Sequence, residues 1–257
     1  MRLSLLRLTA PLALFALLAS ACSSSSGGGS SSPTSSSRSA SSLASVHGTY
    51  SPSIDPANFV QTIDNPYWPL EPGTTYTYDG VRGTTPQTDN MVVTHQTKQI
   101  VGVTATVVRD TVSEHGHPVE RTFDWYAQDK QGNVWYMGEN SLELNKHGHF
   151  VRASDSWESG VDGGQPGIIM PASPERGDAY RQEFFPPGEA LDQARVLKLN
   201  GDRTVPDGSF KHLLVTSERS PLEPQTEQKY YARGVGEIAE RVVKGHHEEF
   251  QLIRVTH

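Results

Sequence analysis

Apolar and polar residues alternate with period two along most of the chain, and this spacing predicts strands. Between Val119 and Gln128 the alternation is clear. Val119, Phe123, Trp125 and Ala127 share one face, interrupted by Arg121, and Glu120, Thr122, Asp124, Tyr126 and Gln128 share the other. Val101, Val103, Ala105 and Val107 fall on one face of a Val- and Thr-rich run from Ile100 to Val112. Further strands are expected over Thr74 to Val81, Asn90 to Gln96, Val134 to Met137 and Tyr180 to Phe184. They continue over Ala194 to Leu199, Phe210 to Ser217, Glu227 to Ala232, Glu237 to Val243 and Glu248 to Val255.

Helical periodicity is nearly absent, and only Gly188 to Ala194 reads as a short helical turn. Short strands separated by turns every few residues predict an all-β fold. Their sequential hairpin order favours a single antiparallel meander, curved into an open sheet or half-barrel. Asp64 to Leu70 holds two prolines three apart, which exclude helix, so this segment is expected to be an extended cap with Tyr67 and Trp68 over one end of the core. Ser154 to Arg176 shows little periodicity and reads as one long loop, packed through Trp157 and Ile168-Ile169-Met170.

The first residues are of another kind. Arg2 and Arg7 precede an uncharged run from Leu8 to Ala21, shorter than the ~20 residues of a membrane-spanning helix. Basic start, apolar middle and small residues at a break describe a secretory signal peptide over residues 1–21. The break, Leu18-Ala19-Ser20-Ala21-Cys22, resembles the lipobox of bacterial lipoproteins, with Ala19 and not Leu three residues before the cysteine. The resemblance implies cleavage before Cys22, acylation of its thiol and an extracytoplasmic, membrane-held protein. Ala19-Ser20-Ala21 also fits an ordinary signal peptidase site, which would release a secreted protein. Cys22 is the only cysteine of the chain, and it stands where a lipid would be attached.

Residues 22–45 comprise that cysteine and a Ser- and Gly-rich stretch expected to be a flexible leash. Residues 46–257 then form one domain, large enough for a core without disulfides. Apart from Arg2, Arg7 and Arg38, all charges lie in this domain, 19 basic against 29 acidic. That surplus of negative charge excludes a nucleic-acid partner, which needs clustered Lys and Arg.

Two further stretches carry a family resemblance. Asp124-Trp125-Tyr126-Ala127-Gln128-Asp129 with Gly132 to Tyr136, and Trp157 to Gly164, are similar to an uncharacterised family of bacterial envelope proteins. Pro69 to Tyr78 and Tyr230 to Ile238 resemble, more distantly, the curved antiparallel sheets of lipoprotein-carrier-like proteins. The resemblance implies fold and compartment and supplies no catalytic residue.

Three constellations are candidates for chemistry. His115-Gly116-His117 and His147-Gly148-His149 suggest imidazole ligands, but each reads first as a turn, and turn parity is expected to set the two tips at opposite ends of the sheet. Asp155, Glu158 and Asp162, among Gly160, Gly163 and Gly164, could wrap a cation with oxygen ligands. Asp110, Glu120 and Asp124 are the acids of an alternative reading, a secreted hydrolase or metal-dependent enzyme; the same residues fit the wet face of a sheet. No G-x-S-x-G, H-E-x-x-H, P-loop or dinucleotide motif occurs, and no cofactor is expected. The leading expectation is a non-catalytic lipoprotein that binds an apolar or amphipathic small ligand, or an envelope partner. Tyr76, Tyr78, Asp124, Trp125, Tyr126, Trp135 and Tyr180 would form its ligand site.

Overall fold

The computed structural model describes residues 40–257, so the signal peptide, Cys22 and most of the Ser/Gly stretch lie outside the described residues. One α-helical turn, α1 (Ala40–Leu43), precedes sixteen strands. The first group is β1 (Phe59–Val60), β2 (Thr75–Arg82), β3 (Thr85–Ile100), β4 (Val103–Glu114), β5 (His117–Asp129) and β6 (Val134–Leu144). Short pieces follow: β7 (Phe150–Arg152), β8 (Trp157–Glu158), β9 (Gln165–Met170), β10 (Ala179–Arg181) and β11 (Glu183–Phe184). The last group is β12 (Gln193–Val205), β13 (Gly208–Arg219), β14 (Thr226–Ala232), β15 (Gly236–Lys244) and β16 (Glu248–Thr256).

Every pairing is antiparallel, and the sheet runs β10-β12-β13-β14-β15-β16-β2-β3-β4-β5-β6-β9-β11. The two limits of that path, β10 and β11, are separated in the chain by Gln182 alone. One short segment therefore pairs with β12 through Tyr180↔Ala194 and with β9 through Glu183↔Pro166, and the meander curls until its limits meet as a nearly closed barrel. Gly167 makes the junction feasible, because a Cβ there would stand 2.3 Å from the Gln182 carbonyl carbon and 2.6 Å from the Arg181 oxygen.

The sequence expectations and the structure differ at four places. The stretch expected as a long loop contains β8 and β9, whose apolar residues Trp157, Ile168 and Met170 are buried. The helical turn expected at Gly188 to Ala194 is instead a 3₁₀ turn at Pro186–Gly188, followed by Glu189 in the left-handed region. The domain begins before Val46: Ala40 and Ala44 are buried, and the Arg181 amide donates to the Ala44 carbonyl. Finally, β6 runs without a turn at residue 139, so the two His-Gly-His tips lie at the same end of the barrel. Among the described residues no helix is long and apolar enough to cross a membrane.

Candidate functional site

The face of β5 that alternation marks as polar is the inner one. Glu120, Thr122, Asp124, Tyr126 and Gln128 are all buried, while Arg121 is exposed. Asp124 pairs with Glu139 and Tyr126 with Tyr136 across β5 and β6. Tyr136 and Glu139 are three residues apart and would face opposite ways in a regular strand. A bulge absorbs the difference, with Met137 as the extra residue and Gly138 at φ 138°. A side chain at Gly138 would also strike the Trp157 carbonyl oxygen, 2.5 Å away. The bulge brings the Tyr136 hydroxyl to 2.5 Å from Asp124 Oδ1 and 2.9 Å from Glu139 Oε2. A hydroxyl carries one proton, so it donates to one carboxylate and accepts from the other only if that group is protonated. The Tyr136 ring stacks on Tyr126 at 4.9 Å and meets the edge of Trp157 at 5.6 Å. Trp157 Nε1 in turn donates to Glu183 Oε2 at 3.1 Å.

On the opposite wall, Lys229 of β14 is the cation of a carboxylate cage. Its Nζ lies 3.3 Å from Glu240, 3.6 Å from Glu218 and 3.9 Å from Glu237. Glu218 is fully served: Thr216 and Tyr231 donate hydroxyls to Oε1, and Gln182 donates to Oε2. Burial works against its ionisation, but Lys229 and these three donors outweigh it and hold its carboxyl below the ordinary value. Glu240 lacks such donors, and burial pushes it up to about 8 despite Lys229. Glu227 is likewise pushed up to about 8, by burial and then by Glu240. Glu237 is raised by burial as well, and neither of its oxygens has a hydrogen-bond donor.

Between these walls stand Tyr78 of β2 and Asp89 of β3, a directly opposed pair. Tyr78 donates to the Glu237 carbonyl at 3.0 Å. Asp89 is wholly buried, and no donor reaches either of its oxygens. Burial, then the facing Asp110 carboxyl, raises Asp89 well above the ordinary carboxylate range. Asp89 thus favours its neutral, protonated form. Trp68 closes one end as the prolines of its segment suggest, with its ring 5.7 Å from Tyr126 and 5.9 Å from Tyr231.

The expected ligand residues are therefore divided. All seven are buried, but only Asp124 and Tyr126 among them share the inner face of β5. Tyr76 ties β2 to the leading segment through the Pro69 carbonyl. Trp125 alternates with Asp124 and Tyr126 and so faces the other way, with Lys98 Nζ 3.4 Å over its ring. Trp135 packs on Phe59 and donates to Asp129 Oδ2 at 2.9 Å. The cation loop is not assembled. Glu158 is engaged by Lys98 at 2.7 Å, and among the described residues no group of three or more His, Cys, Asp or Glu is disposed to hold a metal ion.

Sequence reasoning missed Asp89, Tyr136, Glu218, Lys229, Glu237 and Glu240. A signal was present for some of them. Asp89 has the parity of Met91 and Val93, and Glu218 that of Leu214 and Thr216, so each stands on the buried side of its strand.

No protein-family model and no curated protein matches the chain. Two solved structures are similar to it. One, from Bacteroides fragilis and described as an exported protein with a YmcC-like fold, is 11% identical with a TM-score of 0.41, over 74% of this chain and 99% of that one. The other, described as a lipoprotein from Parabacteroides distasonis, is 10% identical with a TM-score of 0.41, over 75% of this chain and 99% of that one. Both likenesses are distant, and the reading below rests on the residues of this chain.

Proposed function

We propose that this protein is a non-catalytic extracytoplasmic binding protein, held at a membrane by acyl chains on Cys22, whose barrel interior receives an amphipathic small molecule. One observation carries the reading. The inner face combines aromatic rings with carboxyl groups in place of a continuous aliphatic core: Trp68, Tyr78, Tyr126 and Tyr136 stand among Asp89, Asp110 and Glu237. Buried polar groups without partners cost ~1–3 kcal/mol each, so a fold that keeps several is using them for something other than its own stability. Pockets that pair aromatic walls with a few convergent polar groups are the usual form of a small-molecule site. The protein purified from detergent-free extracts should carry, in native mass spectrometry, an adduct that organic extraction removes. The unfilled mass throughout, together with no response to a panel of alkyl probes, would count against the reading. For the anchor, Cys22→Ala should move the protein from the membrane to the soluble fraction. Equal membrane retention of both forms would rule out the lipid.

A second reading is favoured by the Asp89–Asp110 pair. Two buried carboxyls side by side, one of them raised by burial and by its neighbour, are an arrangement that general acid–base hydrolysis uses. Turnover of chromogenic ester or glycoside substrates, abolished in Asp110→Asn, would favour it over simple binding.

A further inference from the structure

The β12–β13 hairpin is longer than the barrel wall it belongs to. β13 pairs with β14 over Leu214 to Glu218, whereas Gly201 to Val205 and Gly208 to Leu213 pair only with each other. This overhang is bent. Gly201 pairs with Leu213 and Asp202 with Lys211, which leaves His212 as an extra residue at φ 56°, and such a bulge turns a hairpin aside. Gly201 permits the fold, since a Cβ there would stand 2.7 Å from Val215 Cγ2. The bent tip lies on the outer surface of the barrel. Arg203 is ion-paired with Glu249 of β16 and stands 4.6 Å over the ring of Tyr230 of β14. Tyr230 alternates with Tyr231, whose hydroxyl meets Glu218 inside, so Tyr230 faces outward. It is buried nonetheless, as is Val205 beside the turn.

Beneath the tip the ladder has a gap. β15 and β16 pair at Arg241↔Glu249, Glu240↔Phe250 and Ala239↔Gln251 and then part. Beyond that point Gly236 and Glu237 pair with β14 alone, and Leu252, Arg254 and Val255 with β2 alone. Hydrogen bonds from elsewhere meet the bared edges. The Tyr78 hydroxyl donates to the Glu237 carbonyl at 3.0 Å, and the Asp207 amide donates to the Leu252 carbonyl at 3.1 Å. Pro206 has no N–H, so Asp207 carries the first donor that the turn can offer. The junction at residues 179–184 is fastened differently. It is paired on both sides, and the Arg181 side chain clamps it by donating to the Ser45 and Val46 carbonyls at 2.9 and 3.2 Å. We propose that Asp202 to Lys211 form a flap over a lateral opening between β15 and β16, which lifts about Gly201 and His212 to let a ligand pass into the barrel. The inference deepens the binding reading above and rests on it for what passes, whereas the flap itself rests on the pairing. Lifting gives up one backbone hydrogen bond, one part-exposed ion pair and the cover over Val205 and Tyr230, and it breaks no ladder pair. Local openings of this kind are the low-energy ones in a folded protein.

The test joins amide exchange to probe kinetics, on the mature chain in a Cys22→Ala background, which is free of cysteine. By NMR, Arg203→Ala should speed exchange of the Asp207 amide at least fivefold and leave the Val108 and Val112 amides of β4 as in the parent. Asp207→Cys with Ile253→Cys allows a short bis-maleimide to join the tip to β16 beside the carbonyl that Asp207 meets. The probe is N-phenyl-1-naphthylamine, an uncharged amphiphile that fluoresces when enclosed. Its uptake should be at least tenfold slower in the joined protein and at least threefold faster in Arg203→Ala. The same double variant capped with N-ethylmaleimide should take it up as the parent does, and circular dichroism confirms that each form is folded. Uptake as fast in the joined protein as in the parent would overturn the flap as the entrance and leave the binding reading in place. Unchanged Asp207 exchange in Arg203→Ala would overturn the flap itself. No fluorescence gain in the parent would overturn the binding reading, and Asp207 exchange would then judge the flap alone.

Discussion

Lys229 Nζ stands 3.3 Å from Glu240 Oε2 with both side chains almost wholly enclosed in the barrel. Opposite charges in contact ordinarily leave a carboxyl at or below its usual value. Here the glutamate is nevertheless raised to about 8, because burial outweighs the attraction and Lys229 is shared among Glu237, Glu218, Glu240 and Glu227. One cation among four carboxyls cannot neutralise them all, and the surplus is held as protons.

Removing that cation should be costly. Lys229→Met leaves Glu218 ionised by its three remaining donors yet without its counter-charge. Breaking a buried pair from one side costs ~3–5 kcal/mol, so the urea midpoint should fall accordingly. Adding Glu218→Gln to that variant should recover part of the loss. A single variant as stable as the parent would show that the cage contributes nothing.

Stability should decline between pH 5 and pH 8. Glu227 and Glu240 titrate near 4.5 when unfolded and at about 8 when folded. A raised carboxyl contributes fully below its unfolded value, and the contribution is lost as pH rises through the folded one. Asp89 and Glu237 are raised and act with the same sign. Glu218 is lowered and acts with the opposite sign, but its loss falls below about pH 4.5. Urea midpoints at fixed ionic strength should therefore drop from pH 5 to 8, and Glu240→Gln should flatten the slope. A midpoint that climbs across this range would contradict the assignment of buried, protonated acids.

Tyr136→Phe removes the hydroxyl shared by Asp124 and Glu139 and keeps the ring stacked on Tyr126. Loss of a buried hydrogen bond to a charged group predicts ~1.5–3 kcal/mol of destabilisation. Chemical denaturation measures it, and a change below ~0.5 kcal/mol would mean that the hydroxyl does not mediate between the two acids.

Closure of the barrel depends on Gly167. In Gly167→Ala the new methyl would overlap the Arg181 and Gln182 backbone, and strain of this kind costs ~1–3 kcal/mol or more. Amide exchange across residues 179–184 should speed up in this variant. Gly116→Ala, at the turn between β4 and β5 where nothing lies within 4 Å of the added carbon, is the control. Its positive φ strains that turn alone, and it should leave exchange at 179–184 as in the parent.

The long strands and their sequential order were legible because alternation needs only local sequence, whereas the short β1, β7, β8 and β9 were not expected. The strands expected over Val119 to Gln128, Phe210 to Ser217 and Glu248 to Val255 lie within β5, β13 and β16. Which face turns inward was not legible from β5 alone. Trp125 is apolar and Asp124 is not, yet Asp124 faces the enclosed side, because the ring of the sheet gathers acids whose partners come from strands far apart in the chain. Tyr136 was hidden by the bulge at Met137, which breaks the parity on which such assignments depend. Lys229 and its glutamates come from three strands, and no spacing within one of them announces a cage.

The segment between Ala179 and Phe184 has a consequence for molecules held at high density on a surface. A meander of this length, left open, would offer two unsatisfied rims of amide and carbonyl groups, and neighbouring copies could extend one another's sheets there. By pairing with β9 and β12 at once, six residues occupy both rims where they meet, and crowded copies find less backbone to stitch onto.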